Sequence, residues 1–131
     1  METTLRDFLA SYERKQWEPG KVDCCLFLAA WAVWLGHRDP AQHLRGTYET
    51  EAGFIAHIEA AGSVTALVEC CSATIGANRV CEAVCGDIAV IGSPSNIHRQ
   101  FGAIYDGERW LVRFTHSVCP MTAKPLAIWR L

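Results

Sequence analysis

Two adjacent cysteines, Cys24 and Cys25, follow Asp23 at the start of an apolar segment. Aspartate favours the N-cap of a helix because its carboxylate accepts the free N–H groups of the first turn. We therefore predict a helix with Cys24 at or next to its N-terminus and Gly36 just beyond its last turn. The free N–H groups and the helix dipole favour an anion there, and a thiolate is one. Cys24 is thus a candidate nucleophile; alternatively, both cysteines are small buried hydrophobic residues.

A cysteine nucleophile needs a general base, and the chain has five histidines. His98, at the end of a polar loop, is the first candidate, and His116 is the second. The alternative for both is a solvated loop histidine. Asp23 is interpreted as a helix cap rather than a base. The remaining histidines fall far from Cys24 or in the helical half, where we expect surface or packing roles: His37, His43 and His57.

The other five cysteines raise the alternative of a zinc or iron–sulfur site, which usually takes four ligands. These residues are Cys70, Cys71, Cys81, Cys85 and Cys119. Structural metal sites favour cysteines two residues apart on tight turns, and neither the adjacent pair nor the pair with three intervening residues fits. We therefore predict free thiols and no cofactor.

The composition of the chain limits the number of domains and the classes of partner that we expect. The chain has 131 residues, of which 50% are hydrophobic, so we predict one domain over residues 1–131 with its own core. A net charge of −2 without a basic stripe argues against nucleic acid as a partner. The N-terminal segment is charged and has no apolar signal region, which predicts synthesis in a reducing cytoplasm. The longest apolar run, Leu26 to Leu35, is too short to span a membrane.

The elements that position the cysteine and the histidines are predicted to be helices first and strands second. The helical spacing of apolar residues predicts helices at Thr3–Lys15, Asp23–Leu35, Glu51–Ala61 and Val64–Ile75, with a short helical turn at Pro40–Leu44. The central helix is apolar nearly all round, so we expect it to be buried on several sides. On the third helix, Thr50 is the predicted cap, and Phe54, Ile55 and Ile58 are placed on the core face.

The second half of the chain has the pattern of an antiparallel sheet. Strands are predicted at Gly86–Ile91, Phe101–Tyr105, Trp110–Phe114 and Leu126–Leu131. Asp106 and Gly107 form a hairpin signal between the second and third of these. The segment Gly76–Val84 is ambiguous. Helices followed by antiparallel strands predict an α+β domain, with the cysteine-bearing helix packed on the sheet. The five tryptophans are assigned mostly to the core.

The order of these elements resembles the NlpC-like cell-wall cysteine peptidases, a branch of the papain-like superfamily. The matching segments are Asp23-Cys24 at the helix start, Gly86 to Val90 as the first strand, and Gly102 to Gly107 as the hairpin. Together with the motifs Arg-Gly-Thr-Tyr and Ile-Trp-Arg-Leu, they resemble an NlpC-like group found in tailed phages and prophages. The resemblance implies a tail-tip setting, with other tail-tip proteins as partners and peptidoglycan as the substrate of an active form.

The chain differs from the active members of that superfamily at the position of the catalytic general base. There, a catalytic histidine opens the second strand, and we place Phe101 at that position. The polar residue that orients the histidine falls at or near Arg113. Phenylalanine cannot accept a proton, and general base catalysis typically contributes about 10²- to 10⁴-fold in rate. Two hypotheses follow: a catalytically degenerate tail-tip component, or an active cysteine hydrolase that uses Cys24 and His98.

Overall fold

A computed structural model describes residues 1–131 as four helices followed by a six-stranded antiparallel sheet. This arrangement confirms the predicted α+β class. The helices are α1 (Glu2–Glu13), α2 (Leu26–Trp34), α3 (Glu51–Ala61) and α4 (Val64–Ala73). The strands are β1 (Asn78–Val80), β2 (Ile88–Gly92), β3 (Gln100–Tyr105), β4 (Trp110–Arg113), β5 (Val118–Pro120) and β6 (Pro125–Arg130).

Local sequence explains the ends of the helices. The Thr50 hydroxyl accepts a hydrogen bond from the Gly53 N–H at the start of α3, as predicted. Ser63 does the same for α4 by accepting from Ala66. Helix α2 ends at Gly36, whose φ of +100° is a left-handed conformation that glycine adopts at low cost. Each of these caps satisfies backbone groups that have no partner within the helix.

The sheet has the strand order β1-β6-β2-β3-β4-β5, with all neighbours antiparallel. One face packs against the helices: Ile88, Val90 and Ile104 join Leu26, Phe27 and Trp31 in a 19-residue core cluster. The other face carries a smaller cluster made of Ala89, Ile91, Ala103, Val112 and Ile128. Because side chains alternate along a strand, each central strand contributes to both clusters.

One strand was missed: β5 is absent from the strands predicted above, because three residues with a proline carry almost no periodic signal. Residues Pro40–Leu44 make the predicted short helical turn, in which Arg45 N–H donates to the Ala41 carbonyl at 3.1 Å. Helix α2 is buried over most of its length, as predicted, but its C-terminal end is not covered, since Val33 and Trp34 are 46% and 47% exposed.

The tryptophans only partly follow the core assignment. Trp31 and Trp129 are fully buried, Trp17 and Trp110 are half-buried, and Trp34 is exposed. No single helix is long and apolar enough to cross a membrane; α3 and α4 taken together, bent by 77°, meet that test by length and composition alone.

Candidate functional site

An open groove of about 410 Å³ lies at the N-terminal end of α2. It forms where β3 and β4 diverge, because only two residue pairs, Ile104–Leu111 and Tyr105–Trp110, join these strands. Helix α3 forms the opposite wall. Most of the lining is apolar and includes Trp17, Phe54, Ile55, Ile97, Phe101 and Phe114. Phe54 and Ile55, predicted to lie in the core, are half-buried and line this groove.

Asp23 lies beside the groove and holds the start of α2 through its side chain. Its side chain is 2% exposed, and its carboxylate accepts four hydrogen bonds. Cys25 N–H and Leu26 N–H donate to Oδ1 at 3.1 and 2.9 Å, which confirms the predicted cap. Gly20 N–H and the Tyr48 hydroxyl donate to Oδ2 at 3.2 and 2.5 Å. The carboxylate therefore uses its acceptor positions for structural hydrogen bonds.

Cys24 is half-buried and lines the groove, two residues before the regular part of α2 begins at Leu26. The N–H groups that follow it are already bonded: Cys25 and Leu26 donate to the Asp23 carboxylate, and Phe27 donates to the Asp23 carbonyl at 3.0 Å. A helix N-terminus attracts one anion through these groups. The Asp23 carboxylate occupies that position, so the N–H groups predicted to favour a thiolate are taken.

Cys25 belongs to the core. It packs against the large cluster and lines a small apolar cavity of about 30 Å³ beside α2. A hydrogen bond with the Cys24 thiol, together with burial, raises the pKa of Cys25 well above its usual value. Cys25 is thus the inert member of the pair.

The strand residue on the helix-facing side of the groove is Gln100, so the placement of Phe101 there is wrong. A Cβ at Gly102 would lie 2.7 Å from the Cys24 carbonyl oxygen, which places Gly102 on the face that meets α2. Gln100, two residues earlier, shares that face, whereas Phe101 packs against the smaller cluster. The Gln100 amide is buried and donates to the Ser93 carbonyl, and its oxygen accepts from Thr65.

The two candidate histidines are both exposed. His98 lines the same groove as Cys24, but its ring lies 3.9 Å from the Glu59 carboxylate on α3, and the hydrogen bonds of the structure join no histidine to the Cys24 sulfur. His116 lies on the loop after β4 and does not line the groove. Among the other histidines, His57 contacts the Thr47 hydroxyl at 3.1 Å.

Arg113 lines the groove but does not orient a catalytic group. Its guanidinium is 2% exposed and donates to the carbonyls of Tyr12 and Lys15 at 2.8 Å each, at the end of α1. It also donates to the Phe114 carbonyl at 2.8 Å. A cation at a helix C-terminus stabilises the exposed carbonyls there. Arg113 therefore joins α1 to β4.

Outside the groove, the titratable residues named from the sequence have structural partners. Asp87 accepts two hydrogen bonds from Arg130, at 3.0 and 2.9 Å, and one from Val84 N–H. Asp106 accepts from the N–H groups that follow it in the hairpin. All seven cysteines are free, and no group of three or more histidine, cysteine, aspartate or glutamate side chains is arranged to hold a metal ion.

Sequence reasoning missed two residues of the site, Gln100 and Tyr48. Gln100 could have been identified from its position two residues before Gly102. A glycine in a strand marks a place where another backbone approaches closely, and residues two apart in a strand lie on the same face. Tyr48 gives no local signal, because its hydroxyl meets Asp23 across 25 residues of chain.

Comparison with curated proteins and with solved structures found no match to this chain. A family model described as "Domain of unknown function (DUF6950)" matches residues 1–131, the whole of the chain. A match over this length shows the family: the chain belongs to DUF6950.

Proposed function

We propose that this protein is a catalytically degenerate domain of NlpC-like, papain-like type that serves as a structural or assembly component of a phage or prophage tail tip. In this proposal its partners are other tail-tip proteins, and it is made in the bacterial cytoplasm and carried in the tail of the virion. The tail setting comes from the resemblance of the sequence motifs, whereas the degeneracy is argued from the groove.

The observation that carries the proposal is the identity of the β3 residue on the face that meets α2, in the groove that Cys24 lines. Gln100 stands on the face of β3 that meets α2, and its amide is held by Ser93 and Thr65. An amide cannot accept a proton from a thiol at neutral pH. Without a base, a cysteine stays mostly protonated and is a weak nucleophile.

The occupied helix start supports the same conclusion. Acyl transfer needs free N–H donors aimed at the oxyanion, and these contribute about 10²–10³ in rate. The N–H groups of Cys25, Leu26 and Phe27 all have partners on Asp23. The Cys24 N–H alone has no partner at the helix start, so the groove offers a thiol, a single free N–H and mainly apolar walls. This set suits binding better than hydrolysis.

A second candidate function is an active cysteine hydrolase acting on peptidoglycan peptides. One observation favours it: His98 and Cys24 line the same groove. In this alternative Cys24 attacks the amide carbonyl, and His98 takes its proton and then protonates the leaving amine.

Digestion of purified peptidoglycan separates the two functions. We expect no cleavage product by mass spectrometry, and no difference between the wild-type protein and Cys24→Ala. Time-dependent cleavage that is lost in both Cys24→Ala and His98→Ala would contradict the proposal and favour the hydrolase.

A gain of reactivity tests the assignment of Gln100. We expect Gln100→His to place an imidazole on the face that meets α2 and to move alkylation of Cys24 to lower pH, because a nearby imidazolium stabilises the thiolate. Phe101→His is the matched control, and it should leave the Cys24 profile unchanged. Peptide mass spectrometry resolves the seven thiols, and Cys25 should stay unreactive in every variant. A shift with Phe101→His alone would show that the faces of β3 are assigned the wrong way round.

A further inference from the structure

A second groove, of about 570 Å³, is lined by Ala30, Val33 and Trp34 in the C-terminal part of α2, and we call it the Trp34 surface. Its other walls come from α1, from Lys21 in the loop before α2 and from the segment after α2. The residues used below are Lys15, Lys21, Val33, Trp34, Asp39 and Arg45.

The Trp34 surface holds two of the four large hydrophobic side chains that the chain exposes, Val33 and Trp34. The Trp34 ring packs edge-on against Phe8, with ring centroids 5.7 Å apart, and 47% of the residue remains open to solvent. An aromatic side chain of this size, held against the core yet uncovered, has the size and rigidity that central interface contacts use.

The charge around this aromatic residue is opposite in sign to that of the whole chain. Three cations, Lys15, Lys21 and Arg45, and one carboxylate, Asp39, line the groove, whereas the chain has a net charge of −2. Arg45 is already paired with Asp39. Lys21 lies 3.4 Å from Glu18 in an exposed pair, which binds weakly and gives way to a stronger partner.

We propose that the Trp34 surface binds an acidic segment of a partner protein that carries an apolar side chain between carboxylates. The apolar side chain packs on Trp34 and Val33, and the carboxylates face Lys15 and Lys21. The site is a groove and not a protruding face, which suits a polypeptide segment better than a flat lipid surface. The inference rests on the proposed assembly role and names the surface through which it operates.

The indole N–H signals of the isotope-labelled full chain test the proposal directly. The probe is the peptide acetyl-Glu-Asp-Leu-Leu-Glu-Asp-amide, and the matched control replaces each Glu by Gln and each Asp by Asn. We expect the acidic peptide to shift the Trp34 indole signal, assigned with Trp34→Phe, in a saturable way. Trp31 and Trp129 serve as internal references because their indole N–H groups are bonded to Gly86 and Glu69 at 2.8 and 2.6 Å.

Variants add a quantitative expectation. Removing both lysine charges with Lys15→Gln and Lys21→Gln should weaken the acidic peptide about 5-fold, since exposed charge pairs are individually weak. Trp34→Ala should weaken it by at least about 10-fold, as expected for a central aromatic contact. The exposed Lys124 and Val84 lie outside the groove, so Lys124→Gln and Val84→Ala should change nothing.

Three results would overturn the inference: no Trp34 shift at millimolar peptide, equal shifts with the amide peptide, or binding of phosphatidylglycerol vesicles through Trp34 in place of the peptide. Running the titration on Cys24→Ala as well as the wild-type chain separates this inference from the proposed function. Peptidoglycan cleavage by the wild-type chain would contradict the degenerate role. An unchanged Trp34 indole signal in the peptide titration would contradict binding at the Trp34 surface.

Discussion

At its N-terminal end, helix α2 is held by a buried carboxylate with four donors, whereas its C-terminal end leaves Val33 and Trp34 about half exposed. The first end has the residue types of a catalytic site but uses its polar groups for structure. The second end has no reactive group, yet it has exposed lysines in the same groove as an uncovered aromatic ring. The position of reactive residue types therefore does not show where this molecule has side chains left exposed for binding.

Removing the carboxylate is expected to have the largest effect. Asp23→Ala leaves two helix N–H groups, Gly20 N–H and the Tyr48 hydroxyl without their acceptor, and we expect a loss of about 3–5 kcal/mol in the free energy of unfolding. Urea denaturation measures it. Asp23→Asn keeps one acceptor oxygen and should cost less. A loss below that of an ordinary surface substitution would show that the N-terminal end is not held by this network.

Two buried tyrosines give a matched test of the same network. The Tyr48 hydroxyl donates to Asp23, whereas the Tyr12 hydroxyl is the one buried side-chain polar atom without a hydrogen-bond partner. Tyr48→Phe should lower the free energy of unfolding by about 1.5–3 kcal/mol, since the lost bond is to a charged group. Tyr12→Phe should be neutral or stabilising, because it removes an unsatisfied buried group. Equal costs for the two variants would contradict the hydrogen-bond assignment.

The pH dependence of the free energy of unfolding tests the contact between Tyr48 and Asp23 at the N-terminal end of α2. Burial and the Asp23 carboxylate raise the pKa of Tyr48 above its ordinary value of about 10. The folded state then keeps a proton that the unfolded chain loses, so this stabilisation is complete below about pH 10 and falls as the pH rises further. The slope for one proton is at most about 1.4 kcal/mol per pH unit. Denaturation series above pH 10 should be flatter for Tyr48→Phe, and an unchanged slope would count against this coupling.

The smallest effect is expected at the exposed end. Trp34→Ala should lower the free energy of unfolding by about 1 kcal/mol, because roughly half of the ring is already in water. Trp31→Ala, on the same helix but fully buried, should cost about 3–5 kcal/mol. Thermal and urea denaturation of the pair measure the difference. A cost at Trp34 close to that at Trp31 would mean that the ring is structural and not a free contact surface.

The sequence predicted most of the architecture because the signals for it are local. Thr50 capping α3, Gly36 closing α2 and the Asp106–Gly107 turn each act within one or two turns of chain, and each is confirmed. The cap at Asp23 was also correct for the same reason. Strand β5 was missed because its pairing with β4 depends on a partner strand and not on its own residues.

The candidate site was only half predictable, because its character depends on contacts between distant residues. Cys24 and His98, the two residues singled out for catalysis from the sequence, line one groove. The identity of the facing residue depended on the register of β3 against α2, and an error of one residue exchanged Gln100 for Phe101. Exposure of Trp34 could not be predicted either, since an apolar helix gives no sign of which end its neighbours leave uncovered.

The contacts of Arg113 affect the order in which the chain becomes structured. The carbonyls of Tyr12 and Lys15 are bonded by a side chain 101 and 98 residues further along. During synthesis, the carbonyls at the end of α1 can accept these hydrogen bonds only after Arg113 in β4 has left the ribosome. Closing so long a loop also has an entropic cost. The last turn of the first helix to be made therefore gains these two hydrogen bonds only when most of the chain is available, although its packing on α2 needs no residue beyond Trp34.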